Sequence, residues 1–288
     1  MTFFGATVIL VVVCLVALVY STVIEPNIII LTKKRIRFPL KKPLRIALIG
    51  DFHVGPFKQT AFMQRIVNRV NAEKPDIVLL AGDFILEPPA DVTFLEPLKN
   101  LQSALGTYAV LGNHDYHPYP RRVKKKYAAI NQSQEIADFL ASLSITVLRN
   151  EHAIIHRGTE TFALVGVDDC GEKKFALPNS SDLQKATDTL PDNIPFLLLS
   201  HQPDILLDPL HTKADAILCG HTHGGQVRLP FYGAVAHLPN IVSQLYDQGV
   251  FPLNDKTTLV ITRGLGESDF PVRFWAWPEI MILETVST

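Results

Sequence analysis

Five short apolar runs in this chain end alike, in a glycine or serine followed within three residues by a side chain able to hold a cation. "LRIALIG" ends at Gly50 and is followed by Asp51 and His53. "DIVLLAG" ends at Gly82 before Asp83, and "YAVLG" ends at Gly112 before Asn113, His114 and Asp115. "PFLLLS" precedes His201, and "ADAILCG" precedes His221 and His223. Runs of this length, bounded by turn residues, read as buried strands. In open α/β sheets, ligands sit beyond the carboxyl ends of the strands. The pattern therefore predicts one sheet edge lined by carboxylate, amide and imidazole groups.

The segments between the first strands read as helices. "FMQRIVNRVNA" sets Phe62, Ile66 and Val70 in helical step. "FLEPLKNLQSA" reads as a helix with Pro97 in or near its first turn. "SQEIADFLASL" reads as a third, with Ser133 and Glu135 or Asp138 capping or charging its start. Strand–helix alternation implies parallel pairing. The second half is richer in strands: "HAIIHRG" and "TFALVGV" form a hairpin, and "TTLVITRG" and "PEIMILET" close the chain. Two strand-rich halves suit an α/β fold of two packed sheets with helices outside. The stretch from Glu172 to Asn193 is expected to be a mobile loop.

Before this pattern begins, Thr2 to Ile24 holds no charged residue. Such a run fits the roughly 20 residues that cross a bilayer as a helix. No Lys or Arg precedes it and no small-residue cleavage site follows, so a transmembrane anchor is expected over residues 1–24. Lys33, Lys34, Arg35, Arg37, Lys41, Lys42 and Arg45 follow closely. The positive-inside rule places what comes next in the cytoplasm. Residues 25–43 are expected to be a basic juxtamembrane linker and 44–288 the folded domain. The formal net charge is −1, so no global field points to a nucleic acid polymer. The three cysteines, Cys14, Cys170 and Cys219, lack CxxC spacing; reduced thiols are expected, not a disulfide framework or a thiolate metal site.

Each polar piece is unremarkable alone. "DFH" arises by chance, an Asp after Gly is a common turn residue, and "GNHD" suits a β-turn. Their order, each after a strand, is the signal. Hard oxygen donors with imidazoles suit Mn, Fe or Zn. The ordered set, with "GHTHGGQ" at Gly220 to Gln226, resembles the calcineurin-like metallophosphoesterase family from about Leu44 to the C-terminus. The late "RGLG", "PVR" and "PEI" segments, with the apolar run and "EPN" at Glu25 to Asn27, resemble its membrane-associated bacterial phosphodiesterase branch. That branch includes a UDP-2,3-diacylglucosamine pyrophosphatase type of lipid A synthesis.

The resemblance implies a two-sheet αββα sandwich and two divalent metal ions, with Mn favoured and Fe, Zn or Co as alternatives. It implies that Asp51, His53 and His223 hold one metal, Asn113, His201 and His221 the other, and that Asp83 bridges. His114 faces the phosphoryl group and Asp115 orients it. Many members carry a second acid three residues after the bridging Asp; this chain has Leu86 there, with Glu87 adjacent. The expected substrate is phosphorylated and lipid-linked, with soluble diesters or nucleotides, or a non-catalytic metal-binding scaffold, as the other readings; oligomeric state is left open. Asp168 and Asp169 read as a turn or as a support for an imidazole or substrate. Arg263 and Arg273 read as an ion pair or as a second phosphate site. "LPFYG" and "FWAW" read as core or as an acyl-chain or interfacial surface.

Overall fold

The computed structural model describes residues 3–116, 130–171, 179–235, 242, 245–268 and 270–287. The chain opens on helix α1 (Phe3–Val19), continues as a short π turn (Tyr20–Ile24) and a 3-10 turn (Glu25–Asn27), and enters strand β1 (Ile30–Arg37). Then come β2 (Arg45–Ile49), α2 (Thr60–Ala72), β3 (Ile77–Ala81), β4 (Thr107–Val110), α3 (Asn113–Tyr116), α4 (Ser133–Ser142) and β5 (Thr146–Val147). The second half holds β6 (Glu151–Arg157), β7 (Glu160–Gly166), α5 (Leu183–Thr187), β8 (Phe196–Leu199) and β9 (Ala216–Cys219). It closes with β10 (Arg228–Leu229), β11 (Gly233–Ala234), β12 (Gly249–Pro252), β13 (Thr258–Ile261) and β14 (Glu279–Val286).

Two six-stranded sheets form, ordered β1-β14-β2-β3-β4-β5 and β12-β13-β9-β8-β7-β6. Side-chain alternation sorts the core into three layers. Ile46, Leu48, Ile77 and Leu79 of the first sheet meet Phe162, Leu164, Leu197 and Leu218 of the second. Ala47, Ile49, Val78 and Leu80 point the other way, against Met63, Ile66 and Val70 of α2. Val165, Leu198 and Ile217 pack outward on Leu183 and Ala186 of α5. The arrangement is the expected αββα sandwich. Strands β2, β3 and β4 are mutually parallel, as are β7, β8 and β9, so their carboxyl ends share an edge within each sheet.

Several local expectations are corrected. The basic stretch is not all linker: β1 pairs in parallel with β14 from Ile30↔Glu279 to Arg37↔Val286. Ile36, Phe38 and Leu40 are buried between the sheets, and Phe38 meets Phe162 edge-to-face. The charges stay outside, Lys33 reaching Glu73 at 2.7 Å. Residues 92–100 wind as a 3-10 helix with Pro97 in its interior, not its first turn. Ser133 is the first helical residue, not the cap, and its N–H donates to Asn131 Oδ1. Of the expected mobile loop, 172–178 lie outside the described residues. Asp182 caps α5 within the rest, its side chain accepting from Lys185 N–H. All three cysteines are free.

The helical segment Phe4–Asn27 is long and apolar enough to cross a membrane, and 6% of its most apolar window is buried. Its far end is fixed to the domain. Ser21 O accepts from Arg273 N–H, and the buried Glu25 accepts from Ala276 N–H at 2.7 Å. The chain is thus expected to tolerate removal of residues 1–19. Removal of 1–43 exposes the β14 edge and deletes the buried Ile36, Phe38 and Leu40, at about 1.5–3 kcal/mol each. Urea titration should give an unfolding free energy several kcal/mol lower for the longer deletion; equal stability of the two would show that β1 is dispensable.

Candidate metal centre

The metal-ligand candidates stand where strands stop, and the backbone turns sharply there. Asp51, His53, Asp83, His221 and His223 all adopt left-handed φ, between 47° and 72°. That region is uncommon for non-glycine residues, and each such position costs about 1–3 kcal/mol. The turn lets a side chain at a strand end bend back over the sheet edge. Glycines make the room. A Cβ on Gly112 would lie 2.3 Å from Asp83 Oδ1, and one on Gly220 would lie 2.6 Å from Asp51 Oδ2.

All seven candidates are buried and come together as two touching groups. In one, ligand atoms of Asp51, His53 and His223 lie within 4.8 Å of one another. In the other, Asp83, His201 and His221 do, and Asn113 Oδ1 stands 3.1 Å from both His201 Nε2 and His221 Nδ1. Asp83 joins the two groups: its Oδ2 is 3.5 Å from His53 Nε2 and 3.2 Å from His201 Nε2.

The imidazoles are aimed by backbone carbonyls, which fix the tautomers. His201 Nδ1–H donates to Ala81 O at 2.7 Å and His223 Nδ1–H to Gly266 O at 3.2 Å, so each turns Nε2 inward. His221 turns Nδ1 inward instead. His53 Nε2 and His223 Nε2 face each other at 3.1 Å. Burial holds both rings well below the ordinary imidazole pKa, so both are neutral, and His53 Nδ1 is buried without a hydrogen-bond partner. Asp51 Oδ2 is buried without a hydrogen-bond partner, and burial pushes that carboxyl up to about 7. Facing imidazole nitrogens and an orphaned carboxylate oxygen are the environment a cation resolves. The residues fit two divalent ions held by N and O donors. In the second group, burial disfavours charge on both partners. Mutual attraction outweighs it, holding Asp83 well below the carboxylate range and raising His201 to about 10.

His114 adjoins this cluster, its ring edge-on to His53 at 4.6 Å. Its Nδ1–H donates to Leu86 O, and its Nε2 lies 3.5 Å from Ser268 Oγ. The orienting group is thus the main chain of the residue standing where many relatives carry an acid. The role expected for Asp115 is corrected. Its carboxylate accepts from the N–H groups of Phe84, Ile85 and Gly112, so it shapes the turns around Asp83 and not the His114 ring.

The outer candidates divide. Asp169 accepts from Gln202 Nε2 at 2.8 Å, one residue from His201. Asp168 accepts from Tyr116 OH and from Arg149. Arg263 pairs with Glu279 at 2.7 Å. Arg273 is fully buried and donates to the carbonyls of Gly266, Ala276 and Arg263, which leaves it no path to a substrate phosphate. Lys58 and Glu267, buried and 3.3 Å apart, escaped the sequence reading; Lys58 also donates to Pro26 O. Nothing in their local sequence distinguishes them from surface charges. A cavity of about 740 Å³ lined by Asp188, Phe196, Lys213 and Asp215 lies at the opposite, amino ends of β8 and β9 and includes none of the cluster.

The model of the calcineurin-like phosphoesterase family matches residues 44–225, from β2 to the last inward-facing histidine loop. The chain belongs to this family. Its members use divalent metals to cleave phosphoesters, and this chain carries candidate ligand clusters for them. An uncharacterised metallophosphoesterase of Helicobacter pylori is 34% identical over 85% of this chain and 60% of that protein. A transmembrane protein with a metallophosphoesterase domain from Danio rerio is 31% identical over 82% of this chain and 52% of that protein. The chain thus spans little more than half the length of these two relatives. The UDP-2,3-diacylglucosamine pyrophosphatase LpxG of Chlamydia trachomatis is 28% identical over 92% of both chains.

Two outcomes follow for metal uptake. Because Asp83 keeps His201 protonated up to about pH 10, an incoming cation must displace that proton. Affinity is expected to rise with pH, by about tenfold per unit for one proton released; calorimetry in buffers of differing ionisation enthalpy would register the proton, and pH-independent affinity would contradict it. Gly112→Ala drives a methyl group into Asp83 and should lower metal affinity at least about tenfold while far-UV circular dichroism stays unchanged. Wild-type affinity would mean that the turn yields.

Proposed function

We propose that this protein is a membrane-anchored dinuclear phosphodiesterase or pyrophosphatase acting on a lipid-linked substrate. The observation that carries the dinuclear part is Asp83, whose single Oδ2 lies within 3.5 Å of an imidazole from each group. In this reading Asp51, His53 and His223 hold one cation, Asn113, His201 and His221 the other, and Asp83 bridges. Two such cations supply the charge that polarises a phosphoryl oxygen and lowers the pKa of an attacking water. Mn is the favoured pair, with Fe, Zn or Co as alternatives.

The chain's own groups do the rest. His114 keeps Nδ1–H on Leu86 O, so Nε2 is the atom that holds or gives a proton at the leaving oxygen. Asp115 keeps the Asp83 turn in place through Phe84 and Ile85. Burial of all seven ligands excludes bulk water and strengthens each contact. The apolar helix keeps the site at a bilayer, and the basic residues of β1 and its flank orient the domain to the cytoplasmic side of a bacterial inner membrane. The relation to LpxG supports a nucleotide-linked diacyl sugar such as UDP-2,3-diacylglucosamine as the substrate class.

Asp83→Ala or Asn113→Ala should cut turnover by at least about a hundredfold with the fold retained; full activity in either variant removes the dinuclear assignment. Purified protein supplied with Mn should turn over a detergent-dispersed UDP-diacyl sugar faster than a soluble chromogenic diester. Equal turnover of both would favour a soluble substrate, with the helix serving only to localise the enzyme.

A further inference from the structure

The β10–β11 hairpin carries side chains that a turn facing water does not need. Phe231 at its tip is fully exposed, Tyr232 nearly so, and Leu229 is also exposed. Phe270 and Trp275, on the loop beside it, are exposed as well. Clustered exposed aromatics mark a contact surface. The hairpin's base is fixed. Val227 bridges to Phe274, Arg228 N–H donates to Phe274 O, and the Arg228 guanidinium bonds Gly224 O and Asp247.

Phe274 also marks where the apolar helix meets the domain. Tyr20 packs edge-on against its ring at 6.2 Å, Ser21 O accepts from Arg273 N–H, and Glu25 accepts from Ala276 N–H. The helix therefore leaves the domain within one or two residues of Trp275 and of the hairpin base. Helix end and hairpin base thus adjoin through Phe274. Tyr and Trp, with an apolar body and a polar edge, favour the interfacial layer of a bilayer.

Resting on the membrane-anchored reading, we propose that Leu229, Phe231 and Tyr232, with Phe270 and Trp275, form a second membrane contact that enters the head-group layer of the bilayer taking the helix. This contact ties the metal centre to the bilayer surface. The hairpin follows the His223–Gly225 turn directly, and Gln226 bonds Ser268 and Phe270 O, bringing in the segment whose Ser268 stands beside His114. A phosphate at head-group level then reaches the site without its lipid leaving the membrane.

The test uses the full chain in phosphatidylcholine–phosphatidylglycerol vesicles, with and without lipids brominated near the head-group end of the acyl chain. Phe231→Trp adds an emitter at the hairpin tip to the native Trp275 and Trp277. If the tip is inserted, the added emission should fall by about half with brominated lipid, the depth expected of an interfacial aromatic. Flotation of the same vesicles reports the anchor separately. Protein that floats with unquenched tip emission overturns the hairpin contact and leaves the anchored reading standing. Protein that does not float overturns both.

Discussion

Asp83 is the group on which the site turns. Its carboxylate meets imidazoles delivered by opposite sheets, His53 after β2 and His201 after β8. A charged oxygen this deeply buried is tolerable only with compensation from several sides. The rest of the edge is arranged to provide it: His114 N–H donates to Asp83 Oδ1 at 2.9 Å, and Gly112 leaves the space in which that oxygen sits. The left-handed turns at five candidate ligand positions accompany this convergence, as strands from two sheets bend inward toward one carboxylate.

This explains what the sequence disclosed and what it withheld. The fold was legible because its strands are short, apolar and terminated by glycine, and because inward and outward residues alternate in β2 and β3. The clustering of ligand residues was legible because each lies at a strand end. Long-range pairing was not. Nothing local to "IIILTKKRIR" says that it joins a sheet, since Lys33, Lys34 and Arg35 mask the strand; the partner that decides it lies near the other end of the chain. Buried ion pairs were hidden for a related reason. Lys58 and Glu267 look like surface charges until the Pro26 turn closes over them.

Arg273 connects regions that the sequence treats as separate. Its backbone N–H holds the end of the apolar helix, while its side chain and His223 converge on the same carbonyl, Gly266 O. A buried guanidinium with five donors needs several acceptors, and here main-chain and carboxylate oxygens supply them, with His223 Nδ1 3.3 Å from Nη2. The helix and the site are therefore braced by one residue, and "EPN" and "PVR", distant in sequence, act as two halves of a single joint.

The pairing of β1 with β14 bears on how the protein is made. Synthesis runs at about 5–20 residues per second, so Ile30 waits about ten seconds or more before Glu279 exists to pair with it. During that interval the nascent strand has no sheet to join. Its row of basic side chains then has a use unrelated to the finished fold: it discourages the waiting strand from pairing with its neighbours on other ribosomes. Strand β14, made long after β1, closes the sheet by capturing it.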